Sequence, residues 1–153
     1  MKTITKYITE KLKIGKSNKP YNTCQPKDKA ELKEILKERL TQDKDADLND
    51  IDVSKITDMY NLFEDLDPHN IDISEWNVSN VTNMNGMFFD CENFNCDLSK
   101  WDVSKVNDMS GMFHDCKNFN SDLSKWDVSN VKHMNAIFKG CNSLKNIPSW
   151  YKQ

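Results

Sequence analysis

Three cysteines recur at intervals of 25 residues, at Cys91, Cys116 and Cys141, and their type and spacing raise the question of chemistry first. Thiolates bind zinc, and neighbouring thiols can oxidise to disulfides. The chain has no Cys-x-x-Cys pair with a matching histidine cluster, and its five cysteines are an odd number. The sequence therefore predicts neither a zinc site nor a complete disulfide framework. We expect the three thiols at one recurring core position, and the sequence leaves their redox state open.

Carboxylate and amide side chains recur with the same period and could bind calcium. Calcium-binding β-rolls use glycine-rich nonapeptides, whereas this chain has four glycines in all. We expect these side chains to hydrogen-bond the backbone in turns or to face solvent, without a metal. The two columns are Asp72, Asp97 and Asp122, and Asp52, Asn77, Asp102 and Asp127.

Tryptophans and histidines complete the set of candidate chemical groups. Exposed tryptophans could stack on sugars, but Trp76, Trp101 and Trp126 are in phase with Val and Met, which favours the core. The histidines, His69, His114 and His133, stand at three different repeat positions. No nucleophile motif, phosphate loop or HExxH sequence accompanies these histidines, so we expect no enzymatic activity and no cofactor.

All these residues belong to a 25-residue repeat that must position them. The two central copies share 15 of 25 positions, and a fixed period of this length is typical of stacked repeat units. The four copies cover residues 47–71, 72–96, 97–121 and 122–146.

Within one copy the apolar spacing changes. Trp101 and Val103 are two residues apart, which predicts a short strand. Val106, Met109 and Met112 follow at steps of three, which predicts a short helix. The sequence therefore predicts an α/β repeat solenoid, leucine-rich-repeat-like, with four coils of short strand plus short helix. We expect Ser54, Ser79, Ser104 and Ser129 to cap the helices. The predicted core columns are Ile51/Trp76/Trp101/Trp126, Val53/Val78/Val103/Val128, Met59/Met84/Met109/Met134 and Phe63/Phe88/Phe113/Phe138.

Segments outside the repeats are predicted to cover the ends of the stack. Residues 1–46 would form an N-terminal helical cap, with a capping box that starts a helix over Asp28–Leu40 and a weaker helix over Thr3–Lys13. Residues 147–153 would form a C-terminal cap, in which Trp150 lies on a truncated fifth strand.

Charge and hydropathy restrict the classes of partner. Residues 1–46 carry 12 basic and 7 acidic side chains, whereas residues 47–153 carry 9 and 17. An acidic main body argues against nucleic-acid binding. The longest apolar runs are too short for a transmembrane helix, so we expect no membrane insertion. The N-terminus lacks the pattern of a secretory signal, which by itself suggests a cytoplasmic or virion-associated protein.

The repeat phrase DxSxWDVSxVxxMxxMFxxCxxFN resembles the BspA-type leucine-rich repeat family, whose 25-residue repeat domain of unknown function occurs in Mycoplasma and Bacteroidetes surface proteins. The match is strongest at WDVS, at the Met-x-x-Met-Phe run and at FN. The resemblance implies a leucine-rich-repeat-like solenoid, frequent secretion or lipid anchoring, and adhesion to host proteins. It implies no catalytic residue. The chain departs from those proteins because it shows no signal peptide, lipobox or sorting signal, and compact versions also occur in phages and mobile elements.

We therefore expect a non-catalytic protein–protein interaction or adhesion module, which is a monomer or a weak oligomer and whose partner is another protein. The alternative is a structural or assembly component, for example encoded by a phage or mobile element, that self-associates. Candidate partner-binding residues are outward positions that vary between copies: Phe89, Tyr60, Lys105 and His114. The competing interpretation is that Phe89 folds over its neighbour and that Tyr60 covers the junction with the N-terminal helix.

Overall fold

The computed structural model describes residues 24–152, so the helix predicted over Thr3–Lys13 lies outside the described residues. Within that range the regular secondary structure is a single α-helix, α1 (Lys29–Gln42). The remaining described backbone consists of turns and irregular segments, and its β-pairing is limited to isolated bridges.

Helix α1 confirms the helix predicted from the capping box, and it ends two residues later than expected, at Gln42. Asp28 is the N-cap, and its Oδ1 accepts a 2.9 Å hydrogen bond from the backbone N–H of Glu31. The Glu31 carboxylate accepts a 2.8 Å hydrogen bond from the backbone N–H of Lys27. These bonds satisfy N–H groups that a helix start leaves without intrahelical acceptors. The helix packs one apolar face on the core, through Leu32, Ile35, Leu36 and Leu40.

The prediction of an α/β repeat solenoid with leucine-rich-repeat-like coils is wrong. Each 25-residue copy is a layer built from consecutive turns, and among residues 24–152 neither a repeat strand nor a repeat helix is present. Single parallel bridges join equivalent residues of neighbouring layers: Asp47 with Asp72, Asp58 with Asn83, Asn83 with Asp108, and Asp108 with His133. We number the layers 1 (47–71), 2 (72–96), 3 (97–121) and 4 (122–146).

The second half of each layer does not form a helix because its backbone N–H groups donate to carbonyls of a neighbouring layer. Hydrogen bonds of 2.9 Å run from the N–H groups of Met84, Gly86 and Phe88 in layer 2 to the carbonyls of Asp108, Ser110 and Met112 in layer 3. An α-helix needs such N–H groups for its own carbonyls four residues back. The bond from Met87 N–H to the Met84 carbonyl, at 3.2 Å, instead closes a turn of four residues. The three-residue apolar spacing therefore comes from turns.

Left-handed backbone at two repeat positions also excludes a helix. One position has φ between 47° and 60°, and the other has φ between 58° and 79°. Glycine, asparagine and aspartate, which tolerate this conformation best, occupy all but one of these sites. The two positions are Asn61, Gly86, Gly111 and Ala136, and Asp65, Asp90, Asp115 and Gly140.

The first half of each layer is held by side-chain-to-backbone bonds. Asp97 Oδ1 accepts from the N–H of Ser99 at 3.0 Å, and Asp102 Oδ1 accepts from the N–H of Ser104 at 3.1 Å. The predicted turn role of the aspartate columns is thus confirmed. The predicted helix-capping role of the serines is wrong, since the described part of each layer has no helix to cap.

The predicted columns do form the core in the middle layers. The Phe88 and Phe113 rings stack with centroids 5.6 Å apart, and the Trp76 and Trp101 rings stack at 6.5 Å. Each indole N–H finds a backbone carbonyl in the preceding layer, as in the 3.1 Å bond from Trp101 to Ile73. Trp150 continues the tryptophan column 6.5 Å beyond Trp126, although no strand carries it.

Candidate partner-binding surface

The cysteine column holds protonated thiols, which are buried at Cys91 and Cys116 and partly buried at Cys141. The Sγ atoms of Cys116 and Cys141 donate to the carbonyls of Phe88 and Phe113, at 3.0 Å and 2.9 Å. Burial raises the pKa of Cys91 and of Cys141 to about 12, and it raises the pKa of Cys116 as well. A thiol with a raised pKa is a poor nucleophile and a poor metal ligand. These cysteines therefore fill the core and do not form a reactive site.

Two further kinds of site have no geometric basis in the described range. No group of three or more His, Cys, Asp or Glu side chains within residues 24–152 is arranged to hold a metal ion. The tryptophan faces that could stack on a sugar are buried in layers 2 to 4, at Trp76, Trp101 and Trp126. For the same residues 24–152, no helix combines the length and apolarity that a bilayer crossing requires.

Phe89 is a half-exposed aromatic side chain on the surface of layer 2, with 47% of its area accessible. It ends a tight turn in which its N–H donates to the carbonyl of Gly86 at 3.0 Å. Its ring stacks on the imidazole of His114, which occupies the same repeat position in layer 3, with centroids 4.7 Å apart. Gly111 also lies beside the ring, since a Cβ at this glycine would be in ordinary van der Waals contact with Cδ2 of Phe89, at 3.7 Å. Layer stacking thus fixes one face of the Phe89 ring and leaves the other accessible.

His114 supports that ring without a hydrogen bond of its own at Nδ1. The Nδ1 atom is buried and lies 2.9 Å from Oδ2 of Asp115, but not in line for a hydrogen bond. Within residues 24–152 this Nδ1 has no other polar partner. The imidazole is therefore positioned by its stacking on Phe89 and by the nearby carboxylate.

A shallow groove of about 470 Å³ lies beside Phe89, between layers 1 and 2. We call it the Phe89 groove. Five carboxylates line it, together with Phe63, Phe89, Cys91 and Asn93: Glu64, Asp65, Asp67, Asp90 and Glu92.

The acidic lining is only partly neutralised. Lys33, Lys44 and Lys117 pair with Glu64, Asp67 and Glu92, at 4.0, 3.9 and 2.5 Å. Asp65 and Asp90, by contrast, form no ion pair with any residue in the range 24–152. The groove therefore combines an accessible aromatic face with uncompensated negative charge.

The structure separates the other two candidate residues from this groove. Tyr60 is 47% exposed and lies at the junction with α1, where Lys29 Nζ is 5.3 Å from its ring centre. Lys105 lies in the first half of layer 3 and donates to Oδ1 of Asn80 at 2.9 Å. Only Phe89 and His114 of the four candidates are brought together.

The carboxylates of the groove were not among the binding residues predicted from the sequence. A usable signal was present, because Glu64, Asp65 and Asp67 align with Phe89, Asp90 and Glu92 in the next copy. Acidic residues at the same two turn positions of adjacent layers necessarily meet when the layers stack.

Comparison with known proteins identifies the family. A family model described as Mycoplasma protein of unknown function, DUF285, matches residues 30–150. No curated protein and no solved structure matches the chain significantly. The match confirms the predicted kinship with Mycoplasma repeat proteins and does not extend to a leucine-rich repeat. Since it covers most of α1 and all four layers, the chain belongs to the DUF285 family of Mycoplasma proteins.

Proposed function

We propose that the protein is a non-catalytic module that binds another protein through the Phe89 groove. The bound segment presents an apolar side chain to the Phe89 ring and basic side chains to the surrounding carboxylates. The observation that carries this proposal is the half-exposed Phe89 ring, stacked on His114 beside five carboxylates.

An aromatic side chain that is already held in place is a suitable binding anchor. Aromatic residues are enriched among the side chains that dominate interface energies. Because His114 already covers one face of the Phe89 ring, little side-chain entropy remains to be lost on binding.

The charge of the layers favours a basic partner. Residues 47–121 carry 4 lysines and 15 acidic side chains. A surface of one sign steers an oppositely charged partner towards it and rejects partners of the same sign. Asp65 and Asp90, which lack ion pairs within residues 24–152, are the carboxylates most available for such a partner.

Adhesion at a bacterial surface is the setting that we propose for this binding. The resemblance to BspA-type proteins and the membership in a Mycoplasma family both support a surface protein. A self-associating assembly component remains the alternative that the binding experiment must distinguish.

The test uses a short fluorescein-labelled peptide that alternates Lys with Leu, and fluorescence anisotropy on the full chain. F89A should weaken binding about tenfold, as loss of an aromatic anchor does. D90N should also weaken it, because asparagine tolerates the left-handed backbone at this position and removes only the charge. The matched controls are I147A, which removes another exposed apolar side chain, and D122N, which removes a distant carboxylate.

The outcome is decided by comparing the variants. Equal affinity of F89A and the wild type would contradict the proposal, as would equal binding of a Lys–Gly peptide of the same charge. Thermal melting checks that F89A is folded, and an unfolded F89A would show that Phe89 belongs to the core. Light scattering of the free protein tests the alternative, since self-association would raise its mass with concentration.

A further inference from the structure

Within residues 59–65, 84–90, 109–115 and 134–140, which lie at equivalent positions of the four layers, the backbone hydrogen bonds between layers all run in one direction. Each layer donates its N–H groups to carbonyls of the following layer, through three, four and four such bonds at the successive interfaces. The donors are Met59, Asn61 and Phe63, then Met84, Gly86, Phe88 and Asp90, then Met109, Gly111, Phe113 and Asp115. In this part of the stack, layer 1 therefore presents carbonyls at its outer edge and layer 4 presents N–H groups.

The carbonyl edge is covered by lysines of α1 and of the residues just after it. Lys29, Lys33 and Lys44 donate from Nζ to the carbonyls of Tyr60, Asn61 and Leu66, at 3.4, 3.5 and 2.6 Å. The Tyr60 carbonyl is the equivalent of the Asn85 carbonyl, which accepts from a preceding layer. Lys29 thus takes the place of a backbone donor, so this end of the stack already has its complement.

The opposite edge has no such complement within residues 24–152. Four N–H groups of layer 4 are equivalent to the donors of layer 3, and none of the four has a hydrogen-bond acceptor in that range. They belong to Met134, Ala136, Phe138 and Gly140, and we call this edge the N–H end.

Apolar side chains at the N–H end are also incompletely covered. Val131 and Phe138 are partly exposed, although the equivalent Val106 and Phe113 are fully buried. A row of aligned donors flanked by accessible apolar side chains is the surface that an added peptide segment covers.

The charge at this end is opposite to that of the other layers. Residues 122–152 carry five lysines and two aspartates. Lys132 precedes the row of donors, Lys139 lies within it, and both side chains are exposed. Cationic side chains and backbone N–H groups both favour carboxylates and carbonyl oxygens.

We propose that the N–H end binds an acidic protein segment in an extended conformation. Its oxygens accept from the four N–H groups, its carboxylates face Lys132 and Lys139, and its apolar side chains cover Val131 and Phe138. A second copy fits this end poorly, because α1 covers the carbonyl end and two N–H ends would set donors against donors. This site is separate from the Phe89 groove, which selects the opposite charge.

The test titrates the ¹⁵N-labelled full chain with a short peptide that alternates Glu with Val. The amide signals of Met134, Ala136, Phe138 and Gly140 should shift, and their hydrogen exchange should slow, because they gain acceptors. A Lys–Val peptide of the same length should produce neither change.

Variants test the charge contribution. The double variant K132E/K139E should weaken binding of the Glu–Val peptide about tenfold, since each exposed charge pair changes affinity a few-fold. The control K37E/K55E reverses two exposed lysines far from this end and should leave the affinity unchanged. If K132E/K139E melts below the wild type, K132Q/K139Q and a series of potassium chloride concentrations supply the same comparison.

Four results would overturn the proposal. Equal affinity for the Lys–Val peptide would show apolar contact without charge selection. Shifts confined to other residues would place the peptide elsewhere. Protection of the four amides in the free monomer would show that the rest of the chain already covers them. A rise in mass with the same amides protected would assign the end to a second copy.

Discussion

The guanidinium of Arg39 holds the carboxylate of Asp50 through two hydrogen bonds, of 3.0 Å and 2.9 Å, and donates a further 2.9 Å bond to the carbonyl of Asp47. Arg39 is the single arginine of the chain and lies in the last turn of α1. Its planar fork matches two carboxylate oxygens at once, which the ammonium group of a lysine cannot do. This pair links α1 to layer 1 and fixes the angle at which the helix covers it.

Replacing Arg39 with Ala should lower the free energy of unfolding by about 1–3 kcal/mol, since hydrogen bonds to a charged group are lost. The side chains of Arg39 and Asp50 are 20% and 32% exposed, so solvent screens the pair only partly. R39K should recover part of the loss. Urea unfolding followed by circular dichroism measures both, with K37A on the exposed face of α1 as the control. Equal stability of R39A and K37A would show that the pair contributes nothing.

Ala136 is the one alanine at a left-handed position, with φ of 56°. Replacing it with Gly should stabilise the protein by about 0.5–1 kcal/mol, because glycine adopts this conformation without the steric cost of a Cβ. Thermal melting of A136G tests this expectation. An unchanged or lower melting temperature would mean that the extra freedom of glycine in the unfolded chain outweighs the relieved strain.

The two glycines at the equivalent position should differ in their response to alanine. G111A should lower the free energy of unfolding by about 1–2 kcal/mol, because an alanine is strained at a left-handed φ of 59°. No clash adds to this cost, since the new Cβ would meet its neighbours at ordinary distances of 3.7 Å and 3.9 Å. G86A should cost more, because its Cβ would lie 2.2 Å from Oδ1 of Asn61. Urea unfolding of the two variants side by side gives the order, and the reverse order would contradict the packing argument.

The buried thiols should resist labelling and should make the protein sensitive to alkali. Since the pKa of Cys91 and of Cys141 is raised to about 12 from 9.0, the folded state keeps these protons where the unfolded state releases them. Their contribution to stability is complete below about pH 9 and is lost as the pH rises towards 12.

A thiol reagent should therefore react with Cys91, Cys116 and Cys141 only after urea unfolds the protein. Mass spectrometry after limited labelling identifies each site. A C91A/C141A variant should show a flatter loss of stability between pH 9 and pH 11 than the wild type. Rapid labelling of Cys116 in the folded protein would disprove its burial.

The aspartates of the turns should govern stability in acid. The backbone N–H of Ser99, and then its hydroxyl, lower the pKa of Asp97 below 3.8, and the hydroxyl and backbone N–H of Ser104 do the same for Asp102. A lowered pKa gives stability that is present above about pH 3.8 and is lost as the pH falls through the folded value.

The matched variant is D97N/D102N. Asparagine retains the turn, as the 3.2 Å bond from the N–H of Ser79 to Oδ1 of Asn77 shows, but it does not titrate. Melting temperatures between pH 5 and pH 2 should therefore fall less steeply in the variant. An equal fall in melting temperature for the variant and the wild type would show that these two carboxylates do not control acid unfolding.

The layered core could be predicted from the sequence because a fixed period determines which side chains stack. Phe88 and Phe113 share a repeat position, and their rings are in contact wherever equivalent residues lie above one another. The helix α1 was also predictable, because the pair Asp28 and Glu31 carries its own start signal.

The turn structure of the layers could not be derived from apolar spacing alone. A step of three residues, as from Met109 to Met112, suits both a helix and a series of four-residue turns. The distinction depends on whether backbone N–H groups bond within the segment or to the next layer, which the spacing does not report. Gly111 and Asp115, four residues apart at left-handed positions, were the signal that favoured turns.

The candidate site was predictable in its residues but not in its grouping. Phe89 and His114 share a repeat position, so their contact follows from stacking. Tyr60 and Lys105 were chosen by the same criterion of variability, yet Tyr60 lies beside Lys29 of α1 and Lys105 lies in the first half of layer 3, beside Asn80. Which outward positions share one face depends on the turn geometry. Because the predicted strand and helix were wrong, the four predicted residues do not lie on one surface.

The segments 97–113 and 122–138 are identical at 11 of 17 positions, and the bond register means that only whole units of 25 residues can be gained or lost without breaking the pairing. A deletion of residues 97–121 would shorten the molecule by one spacing of about 4.8 Å while it preserves α1 at one terminus and the layer 4 edge at the other. In the shortened molecule Phe89 would face Lys139 where it now faces His114. A lineage could thus change the acidic groove and the reach between the two surfaces in a single genetic event, while the termini of the stack stay the same.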